Sequence, residues 1–340
     1  MRIAIVNDIE LEIEVLRRTL KMHQEYDIIW TAKNGKEAIE KFQYIKPDLI
    51  LMNLTMPLMD GSTATREIMK ISPVAILIVT TSVSGNQGKV FEAMGYGALD
   101  VVSTPVLSPT GEVIGADDLI KKIEIFKKLI NYHKVVPKNI SKFSDNSQRT
   151  RLIAIGASTG GPKALSQIIE KIPFDIPAAI VIIQHVDAQF AIGLADWLTN
   201  YSSMPVKIAE NCKSPDNGNI YVASTNDHLY LNSSGKFEYA SEPLENHFRP
   251  SVDVFFNSLQ ANWIYPDVAV LLTGMGSDGA YGLRQLKKSG WHTIAQDEET
   301  SVVYGMPKAA KELNAASEIL PIGEIADAII KKIYLRRDNV

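Results

Sequence analysis

The sequence predicts two doubly wound, mainly parallel α/β sheets. An N-terminal flavodoxin-like domain spans 1–131, a linker spans 132–150, and a C-terminal Rossmann-like α/β domain with a hairpin insertion spans 151–340. Three observations point there. Short β-branched runs alternate with amphipathic stretches through both halves, which is the pattern of βαβ units. A polar, aperiodic stretch separates the halves. In the second half, two apolar runs end in glycine-rich turns, as strands do where they feed the N-termini of helices in an open sheet.

In the first half, Ile3 to Val6 reads as a strand, and Ile9, Ile13, Leu16 and Leu20 form a helical stripe. Ile28 to Ala32 is a strand, and Ala38, Ile39 and Phe42 mark a helix. Leu49–Met52, Val74–Val79 and Leu99–Val102 supply three more strands, with helical stretches near 62–70 and 86–96 between them. Five βα units of this length match a flavodoxin-type sheet. A last helix runs from Asp117 to Asn131, with Leu119, Ile123, Phe126 and Ile130 on one face.

Residues 132–150 lack periodicity and read as a solvated tether, made basic by Lys134, Lys138, Lys142 and Arg149 together with Arg151 just beyond. In the second half, Leu152–Ile155 is a strand leading through Gly156-Ala157-Ser158-Thr159-Gly160-Gly161-Pro162 into a helix with Ala164, Leu165, Ile168 and Ile169. Ala178–Ile183 is a strand ending in Gln184-His185, followed by a helix with Phe190, Leu194 and Trp197. Val206–Ala209, Ile220–Ala223 and Leu229–Leu231 read as short strands of hairpin character. Ser251 caps a helix to Leu259, and strand 268–273 runs into Gly274-Met275-Gly276-Ser277-Asp278-Gly279. A helix through Leu283 and Leu286, a strand at Thr293–Ala295, and helices at 308–313 and 325–333 complete the chain.

Composition narrows the function classes. With 46% hydrophobic residues among 340, both halves can bury a core, and a net charge of −4 gives no general attraction to nucleic acid or an anionic membrane. The second half shows neither a helix-turn-helix pattern nor a basic face, against a DNA-binding regulator. The single cysteine, Cys212, excludes an intrachain disulfide framework. No signal peptide and no apolar run of membrane-spanning length is present, so the expected location is cytoplasmic.

Gly156-Ala157-Ser158-Thr159-Gly160 fits the G-x-S-x-G nucleophile elbow, although such a turn also suits a bound phosphate or dinucleotide, or a plain tight connection. Two further strand ends favour the first reading. The carboxyl ends of parallel strands converge on one crevice, where Ser158, His185 and Asp278 can meet as nucleophile, general base and base-orienting carboxylate. The order Ser…His…Asp differs from the Ser…Asp…His of the α/β-hydrolases. Asp278 also suits a helix N-cap. Among six histidines, His23 and His133 read as surface residues, and His228 and His292 as loop or packing residues. His247, in a loop able to fold over the crevice, is the rival to His185. No His/Cys/Asp spacing builds a metal site in this half.

These motifs, with Ala295-Gln296-Asp297-Glu298 and Tyr304-Gly305-Met306-Pro307, closely resemble the chemotaxis protein-glutamate methylesterases, the CheB family, over essentially the whole chain. The resemblance implies a cofactor-free serine esterase for glutamate 5-O-methyl esters on methyl-accepting chemotaxis receptors, with deamidation of selected glutamines and a chemotaxis histidine kinase as partner. It also places the Met275 N–H in the oxyanion hole. It leaves Thr159 to bond His185 or substrate, and Gln184 to position the intermediate or serve strand-end backbone. A non-catalytic scaffold and an esterase for another methylated substrate remain as alternatives.

The first half resembles response-regulator receiver domains, including Met56-Pro57-Leu58-Met59-Asp60-Gly61. In those domains a carboxylate after the third strand accepts phosphate, an acidic pair after the first strand helps bind magnesium, and a lysine follows the fifth. Here Asn53 stands at the acceptor position and Asn7-Asp8 replaces the acidic pair. Thr80 keeps the hydroxyl residue and Thr104 replaces the lysine. An amide is a poor nucleophile and a poor ligand for a hard cation, which leaves Asp8 as the one carboxylate ligand and no basis for expecting magnesium or an aspartyl phosphate. In the family the receiver covers the esterase crevice until it is phosphorylated, so the resemblance implies a basal, inhibited enzyme controlled by other means.

Overall fold

The computed structural model describes residues 1–81, 87–108, 113–129, 150–244 and 248–335. The linker up to residue 149, Ile130, Asn131, His133 and His247 lie outside them. The chain divides into two compact units, Met1–Lys134 and Val135–Val340.

The first unit alternates strand and helix: β1 (Arg2–Val6), α1 (Glu10–Lys21), β2 (Asp27–Ala32), α2 (Gly35–Tyr44), β3 (Leu49–Met52), α3 (Gly61–Ile71), β4 (Ala75–Thr80), α4 (Gln87–Gly95) and β5 (Asp100–Ser103). A short antiparallel hairpin, β6 (Val106–Leu107) with β7 (Val113–Ile114), precedes α5 (Ala116–Leu129). The parallel sheet has the order β2-β1-β3-β4-β5, the flavodoxin arrangement. Ile3–Val6 and Leu49–Met52 are buried throughout, because helices cover both faces of a parallel sheet and its central strands become continuous apolar runs. Ile9 is the N-cap of α1 and stays 46% exposed, so it does not belong to the buried stripe of Ile13, Leu16 and Leu20. Asn34 caps α2 by accepting from the Glu37 N–H, and Asp60 caps α3 by accepting from the Thr63 N–H.

The second unit runs β8 (Arg151–Ala157), α6 (Gly161–Ile169), β9 (Ala178–Gln184), α7 (Ala188–Thr199), β10 (Val206–Ile208), β11 (Ile220–Val222), β12 (His228–Leu231), β13 (Phe237–Ala240), α8 (Val252–Asn262), β14 (Val268–Leu271), α9 (Ala280–Lys288), β15 (His292–Gln296), α10 (Met306–Glu312), β16 (Glu318–Leu320) and α11 (Ile322–Leu335). Seven strands form one parallel sheet in the order β10-β11-β9-β8-β14-β15-β16. Two expectations need correction. The segments at 206–208 and 220–222 extend the parallel sheet, and the hairpin is β12 with β13, whose second strand alternates too briefly to stand out in sequence. Arg151 is not part of a solvated tether. It is 9% exposed, and its Nε donates to Asp267 Oδ1 at 3.0 Å while Asp267 Oδ2 accepts from the Leu152 N–H at 3.0 Å and Trp263 Nε1 at 3.2 Å. A buried guanidinium requires such a carboxylate, and the pair locks the start of β8 to the start of β14.

Candidate active site

Sheet register sets the first two residues side by side. Ala157 on β8 pairs with Gln184 on β9, so Ser158 and His185 are the next residues out on adjacent strands. The chain leaves β8 for β9 on one side, while β14 flanks β8 on the other; Ser158 therefore stands at the topological switch point, where crevices open in such sheets. Its N–H donates to Thr273 O at 3.0 Å, beyond the end of β14. Gly160, at φ +76°, turns the chain into α6, and a side chain there would also strike Val302. Gly274 lets the third strand end approach: a Cβ on it would lie 2.7 Å from the Ser158 Cβ.

The loop carrying Met275 and Asp278 is clasped by the Tyr-Gly-Met segment near 305. Gly274 N donates to Val303 O at 3.0 Å, and Gly274 O accepts from the N–H groups of Gly305 at 3.1 Å and Met306 at 2.8 Å. Asp278 then meets His185, with 2.7 Å between Nε2 and Oδ2. The remaining acceptor capacity of the carboxylate is filled from the N-terminus of α8. Ser251 Oγ donates to Oδ1 at 2.7 Å, the Val252 N–H to Oδ2 at 2.7 Å and the Asp253 N–H to Oδ1 at 3.1 Å. Asp278 is thus no cap of its own helix, where Gly279 is the N-cap; it serves the orphan N–H groups of a different one.

Burial on its own would raise the Asp278 carboxyl. The hydrogen bond and charge of His185, with the Ser251 and Val252 donors, outweigh burial and hold the group below its ordinary value. Neighbouring Asp253 goes the other way: burial, against the relief of the Gly282 N–H and with the added charge of Asp278, pushes it up to about 6. Phe248 stacks on the imidazole of His185 at 4.4 Å between centroids and 4° between planes. The ring's second nitrogen, Nδ1, is buried and has no hydrogen-bond partner among the described residues.

The structure therefore joins His185 to Asp278 directly and sets Ser158, 7% exposed, beside them without a hydrogen bond to the imidazole among the described residues. Gln184 spans the other two: its Nε2 donates to Ser158 O at 2.9 Å and to His185 O at 3.2 Å, so its amide serves strand-end backbone. Thr159 is buried, and its carbonyl accepts from Thr273 Oγ1 at 3.0 Å. Met275 is half-buried on the glycine loop. His228, expected as a loop or packing residue, is fully buried on β12 and accepts the Ser251 N–H at Nδ1. His292 starts β15 and pairs with Glu318 at 3.0 Å.

In the first unit, Asn7, Asp8, Asn53, Thr80 and Thr104 gather at the strand ends. Asn53 Oδ1 accepts from the Leu54 N–H at 2.8 Å, which fixes the amide so that Nδ2 faces Asp8 Oδ1 at 3.2 Å and Asn7 Oδ1 at 3.5 Å. Asn7 Nδ2 in turn donates to Glu12 Oε2 at 2.7 Å. The Thr104 N–H donates to Thr80 O at 3.1 Å, and its buried hydroxyl has no partner among the described residues. Among the described residues the carboxylate oxygen that meets Asn53 is Asp8 Oδ1, which faces an amide donor, an arrangement that does not fit a hard divalent cation. Among the described residues no group of three His, Cys, Asp or Glu side chains could hold a metal ion.

A flavodoxin-like unit followed by an α/β unit with serine, imidazole and carboxylate on three adjacent strand ends is the architecture of a response regulator whose effector is a carboxylic ester hydrolase. Comparison with known proteins gives the particular family. The CheB methylesterase family profile matches residues 153–329 and the response regulator receiver domain profile residues 3–110. A protein-glutamate methylesterase/protein-glutamine glutaminase of Burkholderia pseudomallei is 47% identical over 340 residues, 100% of this chain and 99% of the relative. One from Pseudomonas syringae is 46% identical over 332 residues, covering 97% and 99%. The crystal structure of the Thermotoga maritima CheB methylesterase catalytic domain superposes with a TM-score of 0.52 at 36% identity, over 54% of this chain and 99% of that one. The chain belongs to the CheB protein-glutamate methylesterase family, as a hydrolase with methylesterase and glutaminase activity joined to a receiver domain.

Proposed function

We propose that Ser158, His185 and Asp278 form the catalytic triad of a cytoplasmic enzyme acting on glutamate 5-O-methyl esters of methyl-accepting chemotaxis receptors. The observation that carries this reading is the 2.7 Å contact of His185 Nε2 with the Asp278 carboxylate, which His185 and then the Ser251 and Val252 donors hold below its ordinary value, while Nδ1 is left buried and without a partner among the described residues. An ionised Asp278 can only accept, so the proton of the neutral imidazole resides on Nε2 and the lone pair on Nδ1.

Nδ1 takes the Ser158 hydroxyl proton as Oγ attacks the ester carbonyl, and returns it to methanol as the tetrahedral intermediate collapses. Water, deprotonated by the same nitrogen, hydrolyses the glutamyl-enzyme and frees a glutamate carboxylate. With a glutamine substrate, ammonia leaves instead. The Met275 N–H, on a loop pinned through Gly274, is the oxyanion donor; Thr159 and Gln184 act through the backbone by holding Ser158 and His185 at the strand ends. The chemistry requires no metal or organic cofactor.

The receiver unit regulates access to this site without an aspartyl phosphate, because Asn53 supplies no carboxylate nucleophile and its amide occupies Asp8; a histidine kinase is then a docking partner, not a phosphoryl donor to Asn53. Methanol release from a methylated receptor, with a Ser158→Ala control, tests the catalytic assignment.

A further inference from the structure

We propose that His228 is a positioning residue for the Asp278–His185 pair, acting through the backbone of Ser251. The inference rests on the triad reading above and adds a member to it. His228 sits at the start of β12 with no exposed surface, in a core where Leu229, Leu231 and Phe237 are equally buried and an apolar side chain would pack. Its two nitrogens meet groups of opposite kind. Nδ1 accepts from the Ser251 N–H at 3.1 Å, and Nε2 lies 3.2 Å from Pro243 O. A backbone N–H only donates and a carbonyl only accepts, so the surroundings admit one species, the neutral imidazole protonated at Nε2.

Ser251 is the N-cap of α8, and its Oγ accepts from the Val254 N–H at 3.3 Å while donating to Asp278. Every hydrogen bond described for Asp278 other than that of His185 comes from the three consecutive residues Ser251, Val252 and Asp253. His228 grips the first of these by its N–H. A shift of the turn moves all three donors together, and with them the carboxylate that orients His185. Connected buried polar groups transmit position in this way because each unpaired member is costly.

Two variants separate the grip from the packing. His228→Asn keeps an acceptor oxygen where Nδ1 stands; His228→Gln keeps a donor near Pro243 and offers Ser251 no acceptor. In the full chain we expect H228Q to lose about tenfold in kcat for methanol release with KM unchanged, and H228N to recover to within about threefold even if both melt at the same lowered temperature. Nuclear magnetic resonance of the ring nitrogens provides a readout independent of substrate. The His185 Nε2–H signal should move in H228Q and stay in place in H228N. Ser251→Ala, which spares the His228 contact and removes the hydroxyl that donates to Asp278 and accepts from the Val254 N–H, should move it too, and serves if H228Q does not fold. Equal kcat losses in H228N and H228Q with the His185 signal unmoved, or an unmoved signal in S251A, would overturn the proposal. A wild-type chain that releases no methanol, yet shows this pattern of His185 shifts, would sink the substrate and keep the positioning role.

Discussion

His185 Nε2 lies 2.7 Å from Asp278 Oδ2, and the same carboxylate closes the N-terminus of α8 through Ser251, Val252 and Asp253. One group thus fixes the imidazole and ties the loop after β14 to a helix about 25 residues earlier. Asp278→Asn replaces an acceptor-only group by one with two N–H donors that face other donors. We expect a kcat loss of about 10³ to 10⁴ fold, from the lost tautomer control, together with a lowered Tm. Kinetics and thermal melting of the same preparation check both; a kcat within tenfold of wild type would contradict the role.

Gly274 permits the contact between the strand ends of β8 and β14. In Gly274→Ala the new Cβ would lie 2.7 Å from the Ser158 Cβ, and the backbone of the elbow leaves little room to yield. Because a displacement of the nucleophile by less than 1 Å is enough to cost about 10²-fold, kcat should fall far more than stability does. Assays alongside melting curves distinguish this from general unfolding, which would lower both in step.

The Asp253 carboxyl stands at about 6 in the fold, above its ordinary 3.8. Between those values the native state binds more protons than the unfolded chain, so this group adds stability as pH falls through 6 toward 4 and withdraws it as pH rises. The span corresponds to an amount on the order of 2–3 kcal/mol. Asp253→Asn should therefore raise the Tm more at pH 7.5 than at pH 4.5, while its oxygen still accepts the Gly282 N–H. An equal change at both pH values would show that ionisation of Asp253 has no such cost.

The first unit should resist phosphorylation. Incubation of the full chain with acetyl phosphate and magnesium is expected to leave its intact mass unchanged, because the Asn53 amide donates toward Asp8 and offers no carboxylate. A stoichiometric phosphoryl adduct on residues 1–129 would contradict this.

Much of this was legible in the sequence where local pattern and fold agree. Leu152–Ile155 followed by the glycine cluster announced a strand, an elbow and a helix, and the flavodoxin order followed from the spacing of five apolar runs. What escaped depends on contacts distant in sequence. Asp278 read as the base-orienting carboxylate and also suited a cap for the helix beside it, because nothing local points to the N–H groups of Val252 and Asp253. His228 read as a loop or packing histidine with no link to the site, since its partner Ser251 is 23 residues away. β16 has three residues and β6 and β7 have two each, too few to show a period. Arg151 read as a tether charge because its carboxylate, Asp267, lies 116 positions on.

Release of methanol from a methylated receptor fragment, measured for the full chain and its Ser158→Ala variant side by side, isolates the role of Ser158 as nucleophile. The full chain should release methanol, and in the variant that release should disappear, leaving at most the slow rate of spontaneous hydrolysis. Release by Ser158→Ala at the wild-type rate would contradict that role.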